Sequence, residues 1–399
     1  MRVAILSTDN RQNFHEYDKP APYFGTAPEA LFEGLARIPE LEVHVISCVQ
    51  RPMPAPEQLA SNLWYHSLLV PKLGWLRTGY QGCLRAVRKK LREIQPVLVH
   101  AQGTERDCGL SAAFSGFPNI LTIHGNMRRI AAETRPIPFT YGWLAARLEG
   151  LVLRRTWGVL CNSTYTEDQV KPSVRKTWRV PNPMRAPFLT VPATPPPRPA
   201  RPILVNVGTV TPLKRQVEIL EIAGQLQAQG HSFEIHFVGP LDEATAYGRL
   251  FRERIRQAET LGYARYLGSK TTHELIQFFD AASAMVHFSG EESFGLVVAE
   301  GLSRNLKLFA ARVGGIIDIA SGVEGAELFA RDDWDGLRTA LATWLRQGQP
   351  RPATASREMA ARYHPVAVAR QHLAIYREIE ALGAPPPAPT GASPRPVQH

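Results

Sequence analysis

Residues 190–202 read TVPATPPPRPARP, and on both sides of them short apolar runs alternate with amphipathic stretches. Proline lacks the amide hydrogen that a helix interior or a central strand needs, so this segment is a stiff connector. Before it, residues 2–7, 41–47, 97–100, 119–124 and 158–161 read as strands, with 27–37 and 81–94 as helices. After it, strands are expected at 203–207, 233–238, 266–267, 284–288 and 307–310. Strand–helix alternation predicts a parallel sheet with helices on both faces. It occurs twice, and 399 residues exceed one ordinary core. The fold class expected is α/β, with two Rossmann-like doubly wound domains and ligands in the crevice between them. The boundaries are 1–185, a linker 186–202, 203–355, a helical segment 356–382, and a Pro-, Ala- and Ser-rich tail 383–399 expected to be disordered.

The charge is unevenly placed. Residues 1–185 hold 24 of the 46 Lys and Arg but 15 of the 36 Asp and Glu, so nearly all of the net +10 sits in the first half. That half is expected to meet something anionic. Nucleic acid is not expected, because no recognition helix or aromatic–basic repeat accompanies the charge. No apolar run reaches membrane-spanning length. Residues 1–7 read as a buried strand and not as a signal peptide, so a cytoplasmic protein is expected. Cys48, Cys83, Cys108 and Cys161 show no C-x-x-C spacing and read as reduced, buried thiols, with no zinc site expected. Asp333-Trp334-Asp335 has the spacing of a D-x-D metal motif, but it stands before a helical stretch, where acidic residues favour the N-terminus.

The chemistry concentrates at Glu292-Ser293-Phe294-Gly295-Leu296-Val297-Val298-Ala299-Glu300. The strand 284–288 runs into a helix start here, with Ser293 as a cap and Gly295 allowing close backbone approach. A helix N-terminus offers amide groups and a positive dipole end to an anion. Glu292 would sit at its mouth, and Glu300 roughly 12 Å further along a helix. That spacing suits a ligand with phosphate in the middle and hydroxyl-rich ends. The alternative is an amphipathic helix carrying two surface glutamates. Asn206 to Gln216 is a strand, a turn at Gly208 and Thr209, then the basic pair Lys214-Arg215 opening a helix: a phosphate cradle with a cation at hand. Leu121-Thr122-Ile123-His124-Gly125 ends a strand, which places His124 on the ligand side of a parallel sheet.

The two glutamates with seven residues between them, and Phe-Gly after the first, resemble the donor-site motif of retaining GT-B glycosyltransferases of family 4. The resemblance spans about residues 1–380 and is sharpest over 203–318. It implies a GT-B fold and a nucleoside-diphosphate sugar as donor, with no metal and no cofactor. Lys214 matches the family lysine that neutralises the leaving diphosphate. Thr209 stands where the family has arginine, and Arg215 is the neighbouring cation that would replace it. Leu267 and Gly268 resemble the backbone segment lining the nucleotide base. Ser293, Phe294, Gly295 and Leu296 would line the phosphates, Glu300 would bind the ribose, and Glu292 would face the sugar. Gly314-Gly315 with Asp318 resembles the family's Gly-Gly loop, a plain turn being the alternative. His124 resembles the cleft histidine near the transferred sugar, supported by His100. Residues 23–28 resemble a glycine loop under the acceptor. Asn162-Ser163 and Pro181-Asn182-Pro183 match family landmarks that turn chemistry alone also explains. Residues 362–379 resemble the final helix returning to the first domain.

The implied reaction is same-face transfer, in which the leaving phosphate takes the acceptor's proton. No second carboxylate suited to a covalent intermediate is evident. The acceptor expected is a glycan or lipid-linked sugar of cell-envelope or exopolysaccharide synthesis. Residues 81–94 place Leu84, Val87, Leu91 and Ile94 on one face and Arg85, Arg88, Lys89, Lys90 and Arg92 on the other. This basic amphipathic helix reads either as a docked domain helix or as a contact with an anionic membrane surface. Two further alternatives are a nucleotide-sugar epimerase on the same fold and a non-catalytic binding protein.

Overall fold

The computed structural model describes residues 1–134, 136–190, 199–383 and 385. Residues 191–198 of the linker and nearly all of the tail lie outside the described residues. The chain divides into two compact units, one of Met1–Pro183 with the chain from Pro365 onward, the other of Met184–His364.

In unit 1 the strands are β1 Arg2–Leu6, β2 Glu42–Val49, β3 Gln58–Ala60, β4 Leu63–Leu69, β5 Leu98–Gln102, β6 Asn119–Ile123, β7 Gly158–Cys161 and β8 Thr177–Arg179. They lie in the order β3-β4-β2-β1-β5-β6-β7-β8. β3 runs antiparallel to β4, and the other pairings are parallel. Period-two alternation along β1 feeds two cores. Val3 and Ile5 join Leu31 and Leu35 of helix Thr26–Leu35 and Val368, Tyr376 and Ile379 of helix Pro365–Leu382. Ala4 and Leu6 join Leu84, Val87 and Leu91 of helix Gln81–Ile94. Both faces are covered, as a parallel sheet requires. The apolar stripe of 81–94 is therefore spent inside unit 1, with Leu91 fully buried. The docked-helix reading holds, and that face is not available to a membrane.

Unit 2 carries β9 Ile203–Val207, β10 Glu234–Val238, β11 Ala264–Tyr266, β12 Ala284–His287, β13 Lys307–Ala311 and β14 Ala326–Phe329. All are parallel, in the order β11-β10-β9-β12-β13-β14. The order reverses between β9 and β12, so their carboxyl ends flank a topological switch point, where such sheets open a crevice. The β9–β12 ladder is short, pairing Leu204 with Ala284 and Val205 with Met285. Buried Asn206 extends it, donating from Nδ2 to the Val286 carbonyl at 2.8 Å.

Two segments differ from the expected partition. Residues 184–190 belong to unit 2, where Met184 and Phe188 are fully buried in its core. The final helical stretch is two helices, Ala355–Tyr363 in unit 2 and Pro365–Leu382 in unit 1. Pro365 supplies the break, because the residue before a proline is pushed out of helical geometry. His364 is indeed extended, at φ −61° and ψ 131°.

Candidate active site

The loops after β9 and β12 meet at the unit 2 switch point. The Gly290 amide donates to the Leu213 carbonyl at 2.8 Å, which fixes one loop against the other. Buried Gln216 pins the first loop from inside, accepting from the Thr211 amide at 3.2 Å and donating to the Thr209 carbonyl at 3.1 Å. The Lys214 stem passes Gly208, and its ammonium forms an ion pair with Glu292. His287, the last residue of β12, places Nε2 3.2 Å from Glu292 Oε2 and 3.0 Å from Ser289 Oγ. Burial alone would push the Glu292 carboxyl up. The hydrogen bond from His287 and the charge of Lys214 outweigh it and hold the carboxyl at about 2. Burial pulls the His287 imidazole below its ordinary range, so near pH 7 it is neutral and donates to Glu292. The group can present an ionised carboxylate and an ammonium together in a half-buried site.

The helix after Glu292 begins later than its sequence implied. It spans Leu296–Ser303, with Gly295 at the N-cap in left-handed geometry at φ 94° and no side chain capping it. Ser293 is therefore not the cap, and Glu292 lies on the loop ahead of the helix. In the first turn, the amides of Leu296 and Val297 have no partner within the helix. Phe294 is 3% exposed and packs edge-on against Tyr363, so its side chain is core and only its backbone can face a ligand. Gly314-Gly315 is more than a plain turn. A Cβ on Gly314 would stand 1.8 Å from the Glu292 carbonyl, and one on Gly315 would stand 2.6 Å from Phe294 Cα. The Gly315 amide donates to that same Glu292 carbonyl at 2.9 Å.

Glu300 is buried, and Arg185 holds it from Nη2 at 2.7 Å and from Nε at 3.2 Å, both on Oε1. Arg185 is in turn fixed by Thr272 Oγ1 at 2.6 Å. Burial pushes the Glu300 carboxyl up, and the Arg185 charge opposes it. Gly268 follows β11, and its carbonyl accepts from the Gly239 amide at 3.0 Å. A Cβ on Gly239 would lie 2.2 Å from the Gly208 carbonyl, so the loops after β9, β10 and β11 converge on glycine backbone. The Leu267 amide donates to the Phe237 carbonyl at 2.9 Å, continuing the sheet to the edge of that convergence. Thr209 is exposed. Arg215 crosses Gly290, pairs with Asp332 Oδ1 at 2.8 Å and lies over the Trp334 ring at 5.7 Å. Any anion calling on Arg215 competes with Asp332. Asp333 caps the next helix by accepting from the Gly336 amide at 2.9 Å, in keeping with acidic residues at a helix N-terminus.

In unit 1, His124 Nε2 lies 2.9 Å from Gln102 Oε1. Gln102 Nε2 is 3.3 Å from His100 Nε2, and His100 Nδ1 is 2.7 Å from the Tyr376 hydroxyl. Burial pulls His124 down to about 4, so it is neutral at pH 7. Among the described residues one group could hold a metal. Ligand atoms of buried Cys48, Cys83 and Asp107 lie within 4.8 Å of one another. Ser163 caps a helix through the Thr166 amide at 3.1 Å, so Asn162-Ser163 is turn chemistry. Sequence reading passed over His287, Ser289, Arg185 and Gly239. The rule that picked His124, a histidine closing a parallel strand, also picks His287.

Comparison with known proteins bears on the family and the fold. The family model described as Glycosyl transferases group 1 matches residues 192–362, and that described as Glycosyltransferase Family 4 matches 29–184. A D-inositol 3-phosphate glycosyltransferase of Corynebacterium urealyticum is 31% identical over 137 residues, covering 33% of this chain and 32% of that protein. The chain thus spans about a third of the length of the curated relatives it matches. Sucrose-phosphate synthase from Thermosynechococcus elongatus superposes with a TM-score of 0.74 at 18% identity, covering 96% of this chain and 100% of that one. Anabaena HepE in complex with UDP and glucose gives 0.69 at 16% identity, covering 95% and 100%. The two family matches divide the chain between them, and the fold agrees over nearly its whole length: this protein belongs to the GT-B glycosyltransferases of family 4, the glycosyl transferases of group 1.

Proposed function

We propose that this protein transfers a sugar, with retention of anomeric configuration, from a nucleoside-diphosphate sugar to a glycan or lipid-linked acceptor of cell-envelope or exopolysaccharide synthesis, without a metal. The observation that carries the reading is the Lys214–Glu292–His287 group at the unit 2 switch point, beside the start of helix Leu296–Ser303. As the glycosidic bond breaks, charge grows on the diphosphate. Lys214 and the helix amides neutralise it. Glu292, kept ionised by His287 and Lys214, faces the positive character on the sugar. Donor binding exchanges the Lys214–Glu292 pair for Lys214–phosphate, which releases Glu292 to the sugar. Arg185 occupies Oε1 of Glu300, and Oε2 accepts from the ribose hydroxyls. For His124 the proposal adopts the role the resemblance assigns. Its neutral imidazole acts as a hydrogen-bond partner and not as a cation. UDP is the first nucleotide to try, because a fold relative was solved with UDP and glucose.

The test is turnover of UDP-sugars with and without candidate glycan acceptors, read by UDP release and by NMR of the product anomer, in chelator. Release of UDP with the donor's anomeric configuration in the product supports the reading. Inverted product, or turnover abolished by chelator and restored by a divalent ion, contradicts it. A second reading, a nucleotide-sugar-binding protein without turnover, is favoured by Thr209 at the arginine position and by Arg215 being held by Asp332. UDP binding without release from any donor selects it.

A further inference from the structure

Helices Met127–Thr134 and Tyr141–Arg155 form a hairpin whose connection carries Ile137 at 74% and Phe139 at 88% exposure. Ile130, Tyr141 and Leu151 on the two helices are also exposed. Two large apolar side chains exposed on one short connection, with Phe139 against the Trp143 ring at 5.1 Å, are the kind of surface that marks a contact. The charge around it is one-sided. Residues 127–155 contain Arg128, Arg129, Arg135, Arg147, Arg154 and Arg155 against Glu133 and Glu149. Glu149 is fully buried and occupied, accepting from the Met127 and Arg128 amides at 2.9 Å each. Arg128, Arg147 and Arg154 line an open groove of about 540 Å³ floored by small residues such as Ala131, Ala146 and Gly150. Arg147 lies over the Trp143 ring at 4.5 Å, an aromatic–cation pair suited to a water–lipid boundary.

We infer that this helical hairpin is the surface by which the protein docks on an anionic lipid bilayer, Ile137 and Phe139 entering the acyl boundary while Arg128, Arg147 and Arg154 meet headgroup phosphates. Charge complementarity selects the occupant. An apolar tip on a hairpin whose flank groove is lined by arginine, with its one described acidic side chain turned inward, matches an apolar layer beneath a negative surface. It also accounts for part of the basic excess of the first half; helix Gln81–Ile94 carries a comparable share, but its apolar face is docked in the core and offers nothing to an acyl layer. The inference stands apart from the proposed reaction, because membrane docking is read without turnover.

The experiment is co-sedimentation of the full chain with vesicles of phosphatidylcholine alone or with equimolar phosphatidylglycerol, at low and high salt. The expected result is binding to the anionic vesicles at least about tenfold stronger than to the zwitterionic ones, reversed by salt and not competed by inorganic phosphate. The double variants Ile137→Ser/Phe139→Ser and Arg147→Glu/Arg154→Glu each lose about tenfold, while Arg85→Glu/Lys89→Glu on the docked helix stays within about twofold of wild type. All six positions are exposed, so unchanged melting curves confirm the fold. The inference is overturned if wild type ignores anionic vesicles, if both hairpin variants bind as wild type does, if phosphate alone displaces the vesicles, or if only the 81–94 variant loses binding.

Discussion

At the residue scale, the free protein already holds its two key charges together. Lys214 and Glu292 neutralise each other in a site from which water is partly excluded, and His287 fixes the carboxylate from behind. Replacing Lys214 with Ala removes the cation while leaving an ionised, half-buried carboxylate. If Lys214 stabilises the leaving diphosphate, Lys214→Ala lowers kcat by about 100- to 1,000-fold. It also costs about 1–3 kcal/mol of stability through unpaired Glu292. Steady-state kinetics with thermal melts check both. An unchanged kcat would remove Lys214 from the chemistry. Glu292 and Lys214 stood out in the sequence because each lies at a strand-to-loop-to-helix junction and matches a residue of the family motif, and it is that resemblance, not spacing, that supplies their proposed roles. Arg185 was not. It lies 115 positions from Glu300, and nothing local in sequence marks a pairing made only by packing residues 184–190 onto unit 2.

At the element scale, the loop carrying Glu292 is shaped by a second loop with no side chains where the two touch. Gly314 has φ 49° and no room for a Cβ against the Glu292 carbonyl. Gly314→Ala must therefore displace the loop or strain it, at about 1–3 kcal/mol. The displacement moves Glu292, so kcat falls with the melting temperature. A variant that melts lower yet keeps its kcat would show that the glycine loop serves packing alone. The parallel strands of both units were legible because buried on both faces they read as apolar runs. Gln58–Ala60, Leu63–Leu69, Thr177–Arg179 and Ala326–Phe329 escaped notice. Three of these four lie at the ends of their sheets, where fewer neighbours demand apolar side chains. The helix start was misplaced for a related reason. Ser293 has the chemistry of a cap, but Gly295 has the geometry, and only glycine takes the positive φ that turns this loop into the helix.

At the scale of the whole molecule, unit 1 is completed by the last helix of the chain. Tyr376 and His372 come from Pro365–Leu382 and pack on His100 of β5. Burial pulls His124 and His372 to about 4 and His100 well below its ordinary value. The unfolded chain binds protons on these imidazoles below about 6.5, whereas the folded chain does not until about 4. Their contribution is complete above pH 6.5 and is lost as pH falls toward 4. Buried Glu105, Asp107 and Glu149 are pushed up and act in the opposite sense, so the informative quantity is a difference. The stability gap between wild type and His372→Asn should narrow by about 1.4 kcal/mol per pH unit between 6.5 and 4. Denaturant melts at several pH values measure it, and a gap that is flat with pH would mean His372 is not held neutral.

The central claim is that the unit 2 switch point binds a nucleoside diphosphate. Its most direct test is the thermal shift of wild type and Glu300→Gln with UDP, GDP and ADP. At about 100 times its dissociation constant a ligand adds about 2.7 kcal/mol to the folded state. The account predicts that one of the three, UDP first, stabilises wild type by that order and that Glu300→Gln, still folded, loses most of the response. A folded wild type that none of the three stabilises would contradict it.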